Sequence, residues 1–320
     1  MKYAVRRALH SLILLTAVSA ISFVFADLAP GDFFSEMRLD PRVSAATVEA
    51  LRAQRGLDRP LVARYGAWLR SVGRGEFGYS LAYNSAVGPL LGQRIPGTLV
   101  LTATAIFAGW LIALPVGIWT AAKRGTWAAT AMQAILSFLL SIPEILLAVI
   151  FLVVAAQTGW LPTGGMHSAG AESLAAGARL GDTLRHLAIP VAVLVLGMAP
   201  VLIRHVAAAM TEVMDAPFAL AARAHGVAPR RLLFRHLLPV ALNPLVSLFG
   251  FSLGTLLSAS LLVEVLVGWP GLGPLFLEAI MARDFALVLG VVMSSTALLI
   301  GGNLAADLLL YRIDPRIRVR

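Results

Sequence analysis

The chain has 320 residues, 58% hydrophobic and 13% charged, with a mean hydropathy of +0.82. Average charged usage is roughly 25%, so a soluble domain of this size could not cover its surface, and the composition points to an integral membrane protein. The net charge of +9 does not indicate nucleic-acid binding, because the arginines sit mostly at the ends of apolar runs rather than along a stripe; the absence of cysteine excludes disulfides, thiol chemistry and cysteine metal sites.

In chain order, six apolar runs are long enough to cross a bilayer: Ala8–Ala26, Leu99–Ala121, Ala128–Ala156, Leu187–Val206, Val240–Val263 and Phe285–Tyr311. Lys2, Arg6 and Arg7 ahead of the first run also describe a signal peptide. That run is long for one and no clear small-x-small site closes it, so a retained helix is expected. One side of the predicted topology carries Lys2, Arg6, Arg7, Lys123, Arg124, Arg204, Arg223, Arg230, Arg231, Arg235, Arg312, Arg316, Arg318 and Arg320. The two short loops on the other side carry Arg179, Arg185 and Arg283. By the positive-inside rule, both termini are cytoplasmic and the segment Asp27–Pro96, too long to count in that rule, is external. The expected layout is an all-α membrane protein: an N-terminal span over 1–26, an external segment over 27–96, a membrane core over 97–312 and a cytoplasmic tail over 313–320.

The external segment mixes both charge signs. Ser44–Arg55 reads as a short helix with Thr47, Glu49, Arg52 and Arg55 outward and Val48 and Leu51 inward, closed by Gly56. The segment is too small for a large core of its own and is expected to pack on the membrane part. Several spans contain proline (Pro115, Pro143, Pro190, Pro200, Pro244). Each removes a backbone hydrogen bond, which survives in a membrane only where protein or a watery cavity satisfies the freed carbonyl.

Catalytic motifs are sparse. GxxxxGK[ST] is absent and the lysines are Lys2 and Lys123, so ATP hydrolysis by the P-loop route is excluded. His10, His167, His186, His205, His225 and His236 are scattered, with no i, i+4 pair of the helical zinc pattern. Gly250–Gly254 (GFSLG) matches GxSxG, but it lies inside a predicted span rather than at a strand–turn–helix elbow. Its two glycines fit GxxxG helix packing instead. Glu144, behind Pro143 near the middle of the third span, is an ionisable group at membrane depth. It fits two readings: a pathway residue meeting a cationic part of a substrate, or a structural carboxyl between helices. Asp307 reads as a capping or pairing residue beside Arg312.

Between the fourth and fifth spans, over 211–239, lies a basic helix–turn–helix. Pro217 suits a first helical position, Gly226 a left-handed stop, Pro229 a second helix start, and Pro239 the entry to the next span. Two short helices along the cytoplasmic face are expected, carrying Arg223, Arg230, Arg231 and Arg235. Taken alone they also fit an interfacial amphipathic loop held by anionic lipid.

This stretch resembles the coupling-helix loop of ABC-type import permeases, which reads Glu-Ala-Ala, then a glycine, then hydrophobic-x-Leu-Pro. Here Ala221-Ala222 precede Gly226, Leu237-Leu238-Pro239 closes the loop, and Leu220 replaces the glutamate. That departure is similar to the peptide/nickel subfamily, whose Ala-Arg-Ala-Lys-Gly stands here as Ala222-Arg223-Ala224-His225-Gly226. Further segments resemble the first-permease type of the dipeptide/oligopeptide systems: Leu28–Asp32, Gly56–Pro60, Tyr65–Ser80, Ala86–Leu99, Gly268–Leu275, Arg283–Gly290 and Ile313–Arg318.

The resemblance implies a six-helix type I ABC importer transmembrane domain. It implies a permease without catalysis of its own, importing di- or oligopeptides across a bacterial cytoplasmic membrane, with nickel chelates, glutathione or sugars as alternative cargo. It implies a second permease, usually a different chain, two ATPases that hold ATP and Mg and dock on the coupling helices, and an extracytoplasmic binding protein. No cofactor is implied on this chain. The residues assigned to ATPase coupling are Ala221, Ala222, Arg223, His225, Gly226, Arg230, Arg231, Arg235 and Pro239. A secondary transporter would need coupling-ion carboxylates and an inverted repeat, of which one midspan acid and no repeat are found. An intramembrane serine protease would rest on GxSxG alone, and a receptor or scaffold would leave the coupling loop unexplained.

Overall fold

In the computed structural model, residues 2–28, 31, 33–35, 44–54, 56 and 58–313 are described. The expectations on Arg55, Arg316, Arg318, Arg320, most of Leu28–Asp32 and most of Ile313–Arg318 lie outside these residues. So do those on the side chains of Lys2, Arg6, Arg7, Asp307 and Arg312.

Helices dominate: α1 (Lys2–Leu28), α2 (Ala45–Gln54), α3 (Leu61–Val72), α4 (Val87–Ala122), α5 (Trp127–Ser141), α6 (Glu144–Thr158), α7 (Ala176–Asp215), α8 (Pro217–Ala224), α9 (Pro229–Leu232), α10 (Leu238–Leu266), α11 (Leu272–Met281) and α12 (Phe285–Ile313). A two-stranded antiparallel hairpin, β1 (Tyr79–Ser80) and β2 (Ser85–Ala86), precedes α4. Among the described residues, α4, α7, the 248–266 part of α10 and the 285–305 part of α12 are long and apolar enough to cross a membrane. The pair α5–α6 makes a fifth span if counted as one. In α1 the described apolar part is Leu9–Phe25, shorter than those spans.

The third predicted span is therefore not a straight helix. It breaks at Ile142–Pro143, and α5 and α6 meet at 92°. Pro143 has no N–H to continue the ladder, and its ring drives Ile142 out of the helical region, to φ −92°, ψ 120°. The fourth run extends at both ends into the 40-residue α7, which carries Pro190 and Pro200 inside it. Arg204, two positions before the end of the predicted fourth span, lies eleven positions before the end of this helix at Asp215.

The chain divides into two compact units, Met1–Thr98 with Pro270–Ile300, and Leu99–Trp269 with Gly301–Arg320. In the first, α2 forms as its pattern predicts. Ser44 accepts from the N–H of Thr47 at 3.1 Å, Val48 is buried and Gly56 takes φ +69°. The segment expected to be external is fastened to α1 and to the start of α12. Phe23 of α1 packs edge-on to Tyr65 of α3 and Phe285 of α12, with ring centroids 5.3 and 4.7 Å apart. The Arg64 guanidinium lies 5.7 Å from the Phe23 ring centre and 5.5 Å from that of Phe285, and pairs with Asp27 at 2.5 Å.

Asp284 ties this unit together. At the end of α11, Arg283 takes φ +52°; the N–H groups of Arg283 and Asp284 return to Ile280 O (3.0 Å) and Ala279 O (2.8 Å). These are the two bonds of a left-handed helix stop. Asp284 then caps α12, accepting from the N–H of Leu287 at 3.2 Å. Its other oxygen accepts from the Ser80 hydroxyl (2.6 Å) and the Ala82 N–H (3.0 Å) of the hairpin. It is 1% exposed, so no water replaces these bonds. Nearby, Gly97 of α4 lies so close to the α11 entry that a Cβ would sit 2.5 Å from Pro270 O, and Thr98 accepts from the N–H of Leu272 at 2.8 Å.

In the second unit, α7 is the central helix and packs on α10, α6 and α5. Its upper core joins Ile189, Val193, Leu194, Leu202, Leu147, Leu256 and Trp269. α4 approaches it through Gly117, where a Cβ would come within 2.6 Å of Val206.

Removing the Asp284 carboxylate leaves three donors without an acceptor in a closed site, at about 1–3 kcal/mol for each. Asp284→Ala is expected to lower the unfolding temperature of the detergent-purified chain clearly. Asp284→Asn, which keeps an acceptor oxygen, is expected to lower it less. Equal midpoints for both variants and the parent would contradict this role.

Candidate functional site

Pro217 is the first residue of α8, where its missing N–H costs nothing, and Ala216 precedes it in extended backbone at ψ 146°. The helix ends in a left-handed stop. Val227 N–H bonds Ala222 O at 3.1 Å, Gly226 N–H bonds Arg223 O at 3.0 Å, and Gly226 takes φ +72°. A Cβ at Gly226 would meet nothing within 4 Å. The glycine is therefore required by backbone angle and not by close packing, a cost of roughly 1–2 kcal/mol for another residue type.

One side of the loop is fixed to the helices. Ala219, Leu232 and Leu237 are buried in a cluster with Val206, Met210, Val213, Ala121, Ala241 and Leu245, and Ala222, Val227 and Leu233 pack against it. The close helix approach falls on Ala219, which is 0% exposed; Ala222 is half-buried and Ala221 is exposed.

The second short helix expected after Pro229 is only the four-residue α9 (Pro229–Leu232), and it does not stand alone. It runs through one π-helical turn, Leu233–Leu237, directly into α10. Pro239 supplies the reason. It cannot donate to the carbonyl four residues back, and the ladder widens so that Leu238 N–H bonds Leu233 O. The loop is thus one free helix, a tight turn, and a rigid N-terminal extension of α10.

The other side of the loop is open. Arg223, His225, Arg230, Arg231, Arg235, His236 and Pro239 are all exposed. So are three large apolar side chains, Phe218 at 43%, Leu220 at 53% and Phe234 at 64%. Arginine beside exposed aromatic groups is the composition of an interface core. These apolar residues were missed in the sequence, although Leu220 was noted as a substitution; Phe218 and Phe234 looked like ordinary helix filling. At the loop's entrance, both oxygens of Asp215 take the Arg124 guanidinium of the α4–α5 turn. That carboxylate holds Arg124 above its ordinary pKa range. Both groups are about half exposed, so the pair orients the loop more than it stabilises it.

Glu144 is not brought into this loop. It is the first residue of α6, at the bend, and half-buried against α7; a Cβ on Gly197 would lie 2.4 Å from its Oε1. Ser252 of the GxSxG motif is 2% exposed. Its hydroxyl donates to Phe249 O at 2.7 Å and accepts from Trp110 Nε1 at 3.1 Å, so it acts as a helix-packing contact. Two buried carboxyls went unread because they flank predicted spans: Glu264 stands one position past Val263, and Asp284 one position before Phe285.

Comparison with known proteins places this geometry. The profile of the family described as "binding-protein-dependent transport system inner membrane component" matches residues 113–319, and that of its N-terminal membrane component matches residues 1–102. The chain is 33% identical to the oligopeptide transport system permease protein AppB of Bacillus subtilis, over 98% of each chain. It is 31% identical to the oligopeptide permease OppB of Mycobacterium tuberculosis, over 99% of each. It is 28% identical to the glutathione transport system permease protein GsiC of Escherichia coli, over the full length of both. Among solved structures, the inward-facing MetNI methionine ABC transporter superposes with a TM-score of 0.55 at 26% identity. That match covers 70% of this chain and 96% of the other.

Ala219→Leu adds three carbons to a fully buried contact and is expected to cost about 1–3 kcal/mol, detaching α8. Gly226→Ala is strained only by its positive φ and is expected to leave α8 seated. Tryptic cleavage after Arg223 in the purified chain should quicken sharply in the first variant and little in the second. The reverse order would show that α8 is not held through Ala219.

Proposed function

We propose peptides as the cargo of this chain, which belongs to the inner membrane component family of binding-protein-dependent transport systems. It is a multi-pass permease subunit of an ABC importer with a type I fold, a transport subunit and not an enzyme. The observation that carries the cargo reading is identity along the whole length to chains named oligopeptide permeases, at 31–33%. The 28% match to a glutathione permease stays within peptide-like chemistry.

In this reading the exposed side of the α8–α10 loop docks on a cytoplasmic ATPase. Arg223, Arg230, Arg231 and Arg235 supply charged contacts, and Phe218, Leu220 and Phe234 supply apolar area, each about 1.5–3 kcal/mol when fully buried. His225 and Ala221 complete the surface, Ala222 and Gly226 fix the helix and its turn, and Pro239 sets the π-turn that makes the second half rigid. A second permease completes the pathway, two ATPases carry ATP and Mg, and an extracytoplasmic binding protein delivers the peptide. Both termini and the loop face the cytoplasm. Closure of the ATPase pair moves α8 as a rigid body, and ATP shifts the inward–outward equilibrium by its differential contacts with the two states. Glu144, at the broken α5–α6 span, is the candidate pathway carboxylate for a peptide's amino group.

A tagged chain extracted in mild detergent should co-purify with a P-loop ATPase and a second permease, identified by mass spectrometry. Gly226→Pro, which cannot adopt φ +72° and loses the bond to Arg223 O, should lose the ATPase while keeping the second permease. An absence of any ATPase from the parent complex would overturn the coupling reading. Reconstituted complex should take up trialanine in an ATP-dependent way. Uptake of a nickel chelate or a sugar in its place would overturn the cargo, and unchanged uptake with Glu144→Gln would remove that residue from the pathway.

A further inference from the structure

Arg204 is a cation within a membrane-spanning helix that neither the coupling loop nor the Glu144 site uses. It lies eleven positions before the end of α7, about 16 Å along the axis at 1.5 Å per residue. One of its terminal nitrogens, Nη2, donates to the Ser137 hydroxyl of α5 at 2.6 Å. Its Nε is enclosed and has no hydrogen-bond partner among the described residues. An ionisable side chain on a membrane-spanning helix is retained where it meets a pathway or a partner charge.

Arg204 lines a cavity of about 880 Å³ bounded by α4, α5 and α7. The remaining wall is polar or small: Thr120, Thr130, Gln133 and Thr211 supply hydrogen-bonding groups, Glu212 supplies a carboxyl eight positions after Arg204, and Ala121, Ala129, Ala207 and Ala208 leave the space open. A surface meant for lipid tails reads differently, as α6 does with Ile145, Leu146, Val149, Ile150 and Val153 all exposed. Arg124, the other arginine on the wall, is already taken by Asp215. Arg204 is therefore the guanidinium left to recognise an anion, and its planar fork suits the two oxygens of a carboxylate. Gly197, on which Glu144 packs, is seven positions earlier. That places it two turns, about 10 Å, along the same face of α7. Three extended residues span about the length of that backbone interval.

We propose that Arg204 binds the terminal carboxylate of the transported peptide in this α4–α5–α7 cavity, on its way to the cytoplasm. The inference rests on the peptide reading. Because the chain contains no cysteine, Thr130→Cys places a single thiol on the cavity wall. The assembled transporter carrying it is reconstituted in phosphatidylcholine vesicles. It is labelled with a methanethiosulfonate reagent in the presence of trialanine or its C-terminal amide, and the mass of this chain is read. Trialanine slows labelling and the amide does not. Adding Arg204→Gln raises the trialanine concentration needed by about tenfold or more, as expected for one lost hydrogen bond between charged groups. Ser137→Ala, which loosens only the α5 contact, leaves the protection in place.

Equal protection by acid and amide, or protection indifferent to Arg204→Gln, overturns the assignment. So does labelling slowed by added phosphatidylglycerol without peptide and relieved by Arg204→Gln, which would make the ligand a lipid phosphate. Trialanine uptake in the same vesicles, driven by ATP and binding protein, separates the two levels. Uptake without cysteine protection sinks only the Arg204 site. No uptake of trialanine sinks the peptide reading, and this inference with it.

Discussion

A backbone in hydrocarbon must satisfy its own hydrogen bonds, and in this chain proline decides where it cannot. Three outcomes follow from the same missing N–H. At Pro143 the helix breaks through 92° and Glu144 becomes the first residue of a new helix. At Pro239 the ladder widens by one residue and continues, so α9 and α10 move as one piece. At Pro190 and Pro200, α7 runs on as a single helix of 40 residues, surrounded by α5, α6 and α10. The neighbours differ, and with them the consequence: a bend, a stiffened joint, and a long rigid strut.

That strut connects three polar features of the second unit. Gly197 receives Glu144, Arg204 reaches Ser137, and Asp215 grips Arg124 where α8 begins. Along it, small residues admit neighbouring helices and charged ones stand at fixed axial spacing. Asp215 and the buried cluster around Ala219 join α8 to the end of this helix across the extended residue Ala216. The glycine turn at Gly226 lies on the far side of α8, where it sets the angle to α10.

The first unit solves a different problem. Its external segment has little core, and polar and aromatic side chains hold it instead: Asp284 accepts three hydrogen bonds in a closed site, and Arg64 lies over two aromatic rings while pairing with Asp27. The family-like segments Tyr65–Ser80 and Arg283–Gly290 are among the parts that pack here. Their similarity to a transport family reflects a scaffold requirement as much as a transport one.

The sequence by itself determined that the chain lies in a membrane, that α2 ends at a glycine and that α8 begins at Pro217 and stops at Gly226. These depend on local hydrophobic period, on proline's lost donor and on glycine's free φ, all of which act within a few residues. It also carried the family resemblance, because the loop and its flanking segments keep their order. What only the tertiary structure decided was the fate of each interrupted helix and the partner of each charge. Pro143 and Pro200 are alike in sequence, and the surrounding helices make one a bend and leave the other inside a continuous helix. Arg204 stands two positions before the end of the apolar run read as the fourth span. The helix continued for eleven more positions, since Ala207, Ala209, Met210 and Val213 are buried against the loop that follows. Burial by a distant segment is not written in the residues it covers, and it is what carries this helix past its apolar run.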